Sequence, residues 1–105
     1  MERVAIVAYK PNPGKEEALR ALIKKHGPVL KQEGLVTAKD AFILETNDGT
    51  IVEVFEWKSA QAMKTAHRNP KVQQMWREYA AVSTYTPLNR LPETGSLFAE
   101  FTPLN

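Results

Sequence analysis

Asn47-Asp48-Gly49 restricts this chain more than any other stretch. Glycine reaches positive φ without steric cost, and asparagine and aspartate bond their own backbone, so the three residues predict a tight turn. Leu35 to Thr46 before it and Thr50 to Lys58 after it read as strands, which makes the unit a β-hairpin. In the second arm Ile51, Glu53, Phe55 and Trp57 share one face and Val52, Val54 and Glu56 the other. In the first arm Ala41 and Ile43 oppose Phe42 and Leu44. A sheet with one wet face alternates apolar and polar residues, so apolar residues on both faces require a cover on both sides.

The rest of the chain supplies one cover. Val4 to Tyr9 is a β-branched run ended by Lys10-Pro11-Asn12-Pro13-Gly14. Leu19, Leu22, Ile23, His26 and Leu30 then recur at helical spacing, with a break or kink expected at Gly27-Pro28 and a C-cap at Gly34. Ser59 N-caps a second helical region, which Asn69-Pro70 divides into two segments, the later one carrying Val72, Met75, Trp76, Tyr79 and Ala80 on one stripe. After Ser83 the pattern fades through Pro87 and Pro92 into a loop, and Leu97 to Phe101 is expected to form the last strand. The order β-α-β-β-α-β is the ferredoxin-like split βαβ arrangement of the α+β class, an antiparallel sheet with helices on one face. The second face is expected to pack on the same face of another copy across a two-fold axis, giving a homodimer.

Composition closes off several functions. A length of 105 residues with 43% hydrophobic and 25% charged residues predicts one folded domain, residues 1–105. The net charge of +2 is spread along the chain with no basic stripe, so no nucleic-acid partner is expected. Absence of cysteine removes disulfides and thiol chemistry and fits a cytoplasmic protein, and two histidines without paired spacing predict no metal site. No apolar run is long enough to span a membrane, so no membrane partner is expected either.

The stretch Pro13-Gly14-Lys15-Glu16-Glu17-Ala18-Leu19 after the first strand, and Glu56-Trp57-Lys58-Ser59-Ala60-Gln61-Ala62 with Ala66-His67 and Pro70 behind it, resemble the antibiotic biosynthesis monooxygenase (ABM) domain family of dimeric α+β barrels. The resemblance spans residues 3 to 101. It implies a ligand cavity between helices and sheet, a dimer through the opposite sheet face, and an activity that ranges in the family from cofactor-free oxidation of phenols to haem breakdown. The aromatic-oxidising type would place an asparagine and a tyrosine where this chain has Glu53 and Met63, while Trp57 matches. The haem-degrading type would place an axial histidine within Met75-Trp76-Arg77, which has none.

The residues themselves nominate His67 as a general base, since an imidazole takes a proton from a phenol or enol near neutral pH. Its alternative is a partly buried histidine bonded to backbone. Glu53, a carboxylate among bulky apolar neighbours, would orient His67 or act as base if its face meets the helices, and would form an interface ion pair if that face meets a partner; Asp40 is a weaker version of the same case. Phe55, Trp57, Met63, Trp76 and Tyr79 would wall a pocket for a small hydrophobic or aromatic molecule, with no cofactor required. Core packing is the competing reading for Trp76 and Tyr79. His26 reads as a packed histidine beside the helix break, and the loop from Tyr85 to Pro92 as a lid or dimer arm. Two functions stand open: a cofactor-independent monooxygenase or related enzyme, and a non-catalytic dimeric binding or structural module.

Overall fold

The turn at residues 47–49 forms around Gly49, whose φ of +90° only glycine adopts freely. Thr46 N donates to Thr50 O at 2.9 Å and Thr50 N donates to the Asp48 carboxylate at 3.1 Å. The Thr46 and Thr50 hydrogen bonds hold the Asp48 carboxyl below its usual range. The computed structural model describes residues 1–105, and in it this turn joins β2 (Phe42–Glu45) to β3 (Ile51–Trp57).

β1 (Arg3–Pro11) lies antiparallel on the other side of β3, with Val7 opposite Glu53 and Tyr9 opposite Ile51. β4 (Ser83–Thr86) pairs with β1, and β5 (Thr102–Pro103) with β2, so the five-stranded antiparallel sheet runs β4-β1-β3-β2-β5. The first four strands reproduce the ferredoxin-like order, with β5 added at an edge.

Three expectations are corrected, two about strands and one about the first helix. Leu97 to Phe101 is not a strand; Leu97 and Phe98 are 94% and 80% exposed. The fourth strand is Ser83–Thr86, which leaves the preceding helix with no loop between, because Ser83 Oγ donates back to Tyr79 O at 2.8 Å and closes the helix end as the chain extends. The first arm of the hairpin is also shorter than Leu35 to Thr46. Val36 makes an isolated bridge to Trp57, then the chain bends outward through exposed Ala38, Lys39 and Asp40 before β2 begins, which keeps those two charges in water.

α1 (Glu16–Gln32) is one helix that continues through Pro28, so the break expected at Gly27-Pro28 does not occur. The residue before a proline normally avoids the helical region because its Cβ meets the proline ring; Gly27 has no Cβ, which lets the helix continue. α2 (Ala60–Ala66) is capped by Ser59, whose hydroxyl accepts from Ala62 N at 3.0 Å. α3 (Pro70–Val82) is capped by Asn69, whose Oδ1 accepts from the amides of Lys71 and Val72.

The helices cover the face of the sheet that carries Tyr9, Ile51 and Trp57, and the main core of Leu19, Ile23, Leu30, Val72, Met75 and Tyr79 lies between. On the opposite face Leu91 and Phe101 pack over Ala8, Val52 and Leu44, while Val4, Ile6 and Phe42 remain 63%, 50% and 66% exposed. No helix is long and apolar enough to cross a membrane.

Candidate functional site

Leu19, Ile23, His26 and Leu30 are the buried residues of α1, at spacings of four, three and four, so the helix sets one imidazole among aliphatic side chains facing the sheet. At the centre of β3 the two-residue period turns Glu53 to the same side, between Val7 of β1 and Ile43 of β2, with its side chain fully buried. A buried carboxylate costs several kcal/mol unless its oxygens find donors. Both do. Glu53 Oε1 accepts from the Tyr9 hydroxyl at 3.2 Å, and Oε2 lies 2.6 Å from Nδ1 of His26.

The chemistry of the cluster follows from those two contacts. Against an ionised Glu53, Nδ1 of His26 carries the hydrogen, so the neutral ring presents the lone pair of Nε2. Nε2 makes no hydrogen bond within the protein, and His26, though only 2% exposed, is part of the wall of a cleft. The ring is held in place by edge contacts to Phe55 and Tyr79, with centroids at 5.2 and 5.6 Å. Tyr9 stacks on Tyr79 at 4.7 Å, and the Tyr79 hydroxyl donates to Leu22 O. Burial, and then the Glu53 charge, push the Tyr9 and Tyr79 phenols far above their ordinary range, so Tyr9 stays a neutral donor to Glu53.

The cleft has a volume of about 710 Å³ and lies between α1 and the β2–β3 side of the sheet. That is within the common range for small-molecule sites, about 300–1,000 Å³. His26, Glu53 and Phe55 form part of its inner wall and Ile43 and Leu104 its side. Arg20, Lys24 and Lys31 follow the outer edge of α1, and Lys39 faces them from the bend before β2. Leu104 N donates to Ile43 O at 2.7 Å, while Asn105 Oδ1 accepts from Ile43 N and its Nδ2 donates to Ala41 O, which fastens this wall to β2.

Of the residues singled out from sequence, Glu53 and Phe55 line the cleft, and Asp40 stands at its mouth. His67 does not share it. This residue is exposed at the C-terminal end of α2, edge-on to half-buried Trp76 at 5.0 Å. Trp57 is buried at the end of β3 against Phe55, Met63 is exposed on α2, and Tyr79 packs behind His26; none of these, nor Trp76, lines the cleft. The histidine that meets Glu53 is His26, and Tyr9 is the third member of the group. One signal pointed there: a single imidazole on the apolar stripe of α1 and a single carboxylate on the inner face of β3 are each costly alone and satisfied together. No three histidine or acidic side chains are grouped to hold a metal ion.

Neither a family model nor a curated protein matches the sequence. The fold is similar to the solved structure of Rv0793 from Mycobacterium tuberculosis, with a TM-score of 0.66 over 84% of this chain and 96% of that one, at 20% sequence identity. That likeness establishes the shared small α+β architecture.

Proposed function

We propose that the protein is an enzyme acting on a small hydrophobic or phenolic molecule in the α1–sheet cleft, with His26 as general base and Glu53 as the group that orients it. The observation that carries this reading is that Nδ1 of His26 is committed to Glu53 while Nε2 has no partner within the protein and the residue belongs to the cleft wall. Nε2 takes the proton of a phenol or enol, the substrate becomes an anion, and the imidazolium is stabilised by the carboxylate 2.6 Å away. The resemblance to the ABM family supports an oxygenase version on a substrate whose anion carries its charge at a CH2 carbon, as in a hydroxyanthrone. Dioxygen takes four electrons from that carbon, which becomes C=O with one oxygen atom, and the two hydrogens leave with the other as water. His67, exposed at the C-terminal end of α2 and outside the cleft lining, has no part in this reading.

The test is oxygen uptake with hydroxyanthrones and hydroquinones as probes. Wild-type protein is expected to exceed the buffer rate, and replacing His26 by alanine to lower that excess about 10²–10⁴-fold, the usual contribution of a general base. Full turnover in folded His26→Ala would defeat the assignment. The second reading, a non-catalytic small-molecule binder, is favoured by the mutual satisfaction of Tyr9, His26 and Glu53; it predicts binding without turnover by any of the probes.

The same reading includes a homodimer. It is supported by the open apolar strip of Val4, Ile6 and Phe42 on the sheet face away from the helices, a surface that a second copy would cover face to face.

A further inference from the structure

The cleft has an apolar interior and a charged mouth. Arg20, Lys24 and Lys31 lie on one stripe of α1 at spacings of four and seven residues, and Lys39 stands across from them. Three of these cations have a carboxylate partner. Arg20 pairs with Glu45, Lys31 with Asp40 at 3.0 Å, and Lys39 with Glu56 at 3.3 Å. Lys24 has no carboxylate within ion-pair distance. The mouth therefore holds one cation more than its carboxylates neutralise, beside a pocket whose inner charge, Glu53, is already committed to Tyr9 and His26.

An uncharged ligand would use the aliphatic wall and leave Lys24 solvated. A monoanion with an apolar body would use both, its body against Ile43, Phe55 and Leu104 and its charge at Lys24, without displacing any existing ion pair. A dianion would have to break Arg20 or Lys31 from its partner to gain a second cation. Resting on the reading of the cleft as a ligand site, we propose that its natural ligand is a small aromatic or alkyl carboxylic acid, bound as the carboxylate with Lys24 at the acid group and Nε2 of His26 facing the apolar body.

Cinnamate and its neutral counterpart cinnamamide separate the possibilities in a chemical-shift titration of ¹⁵N-labelled protein. Cinnamate is expected to bind about threefold or more tightly than cinnamamide at low salt, the range of one exposed ion pair, with shifts at Ile43, Phe55 and Leu104. Lys24→Glu should abolish or reverse that preference, and Lys24→Gln should fall between. Lys24 is exposed, so these replacements leave the core intact. Equal affinities for the two probes in the cleft, or a preference that survives Lys24→Glu, would overturn the proposal and leave the cleft standing as a ligand site. Shifts confined to other surfaces would overturn both.

Discussion

Nδ1 of His26 and Oε2 of Glu53 lie 2.6 Å apart, one carried by a helix and the other by the central strand, with both side chains almost wholly out of water. The contact joins the two layers of the fold at the same point that opens on the cleft. Removing either partner leaves the other buried without its match. His26→Ala is expected to lower unfolding free energy by about 3–5 kcal/mol, and Glu53→Gln by less because the amide still meets Tyr9 and His26. Urea denaturation followed by circular dichroism measures both.

The two histidines should respond differently to a probe of their nitrogens. His26 is expected to show a single tautomer with Nδ1 protonated and a slowly exchanging ring proton, and Glu53→Gln should perturb it. His67 is exposed beside Trp76 with no carboxylate on its ring, and His67→Ala should change stability by no more than about 0.5 kcal/mol. Two-bond ¹H–¹⁵N spectra resolve the two rings, and equal behaviour would contradict the arrangement described for His26.

Alkaline pH should unfold the protein through its tyrosines. Burial raises all three phenols, Tyr9, Tyr79 and Tyr85, above the ordinary value of 10.0, with the Glu53 charge adding to each. Below pH 10 the phenols are protonated in folded and unfolded chains alike, so their contribution is constant. Above it the unfolded chain releases protons that the folded chain retains, and stability falls as pH rises. Tyrosinate absorbance from Tyr9 and Tyr79 is therefore expected to rise together with loss of helix signal. A gradual rise with the fold intact would contradict their burial.

Asn69 joins a helix start to a distant element. Its Oδ1 caps α3 and its Nδ2 donates to Glu33 Oε1 at 2.9 Å, just past the end of α1. Asn69→Ala is expected to cost about 1–2 kcal/mol and Asn69→Asp to retain most of the cap, which thermal denaturation of the pair would measure.

The open strip of the sheet gives a prediction about assembly. Light scattering is expected to return a dimer mass for the wild type at micromolar concentration and a monomer mass for Ile6→Glu or Phe42→Glu, since a carboxylate at either position would be buried against its own copy. A wild-type monomer would remove the case for the face-to-face pair.

What could be read from sequence followed the range of the interactions involved. The Asn47-Asp48-Gly49 turn, the alternation through Ile51 to Trp57 and the stripe from Leu19 to Leu30 are encoded by neighbours a few residues apart, and they appear where the pattern puts them. Ser83–Thr86 was hidden because four mostly polar residues carry little periodic signal, and its strand identity comes from β1, more than seventy positions back in the chain. The cleft group was hidden for the same reason. His26 and Glu53 lie 27 residues apart, and only the packing of α1 on the inner face of β3 brings them together. His67 drew attention because it follows a family-like segment, but the short α2 ends by turning it toward Trp76 and solvent.

β5 has only two residues, and with Leu104 and Asn105 it ties one wall of the cleft to β2 through a handful of hydrogen bonds. Closing a loop of some sixty residues yields little burial here, whereas β1 and β3 share seven paired positions at the centre of the sheet. The two regions are therefore held by very different numbers of paired positions. The amides of Ile43 and Leu104 are accordingly expected to exchange with solvent before those of Ile6 and Val54, the wall opening locally while the centre of the sheet stays folded.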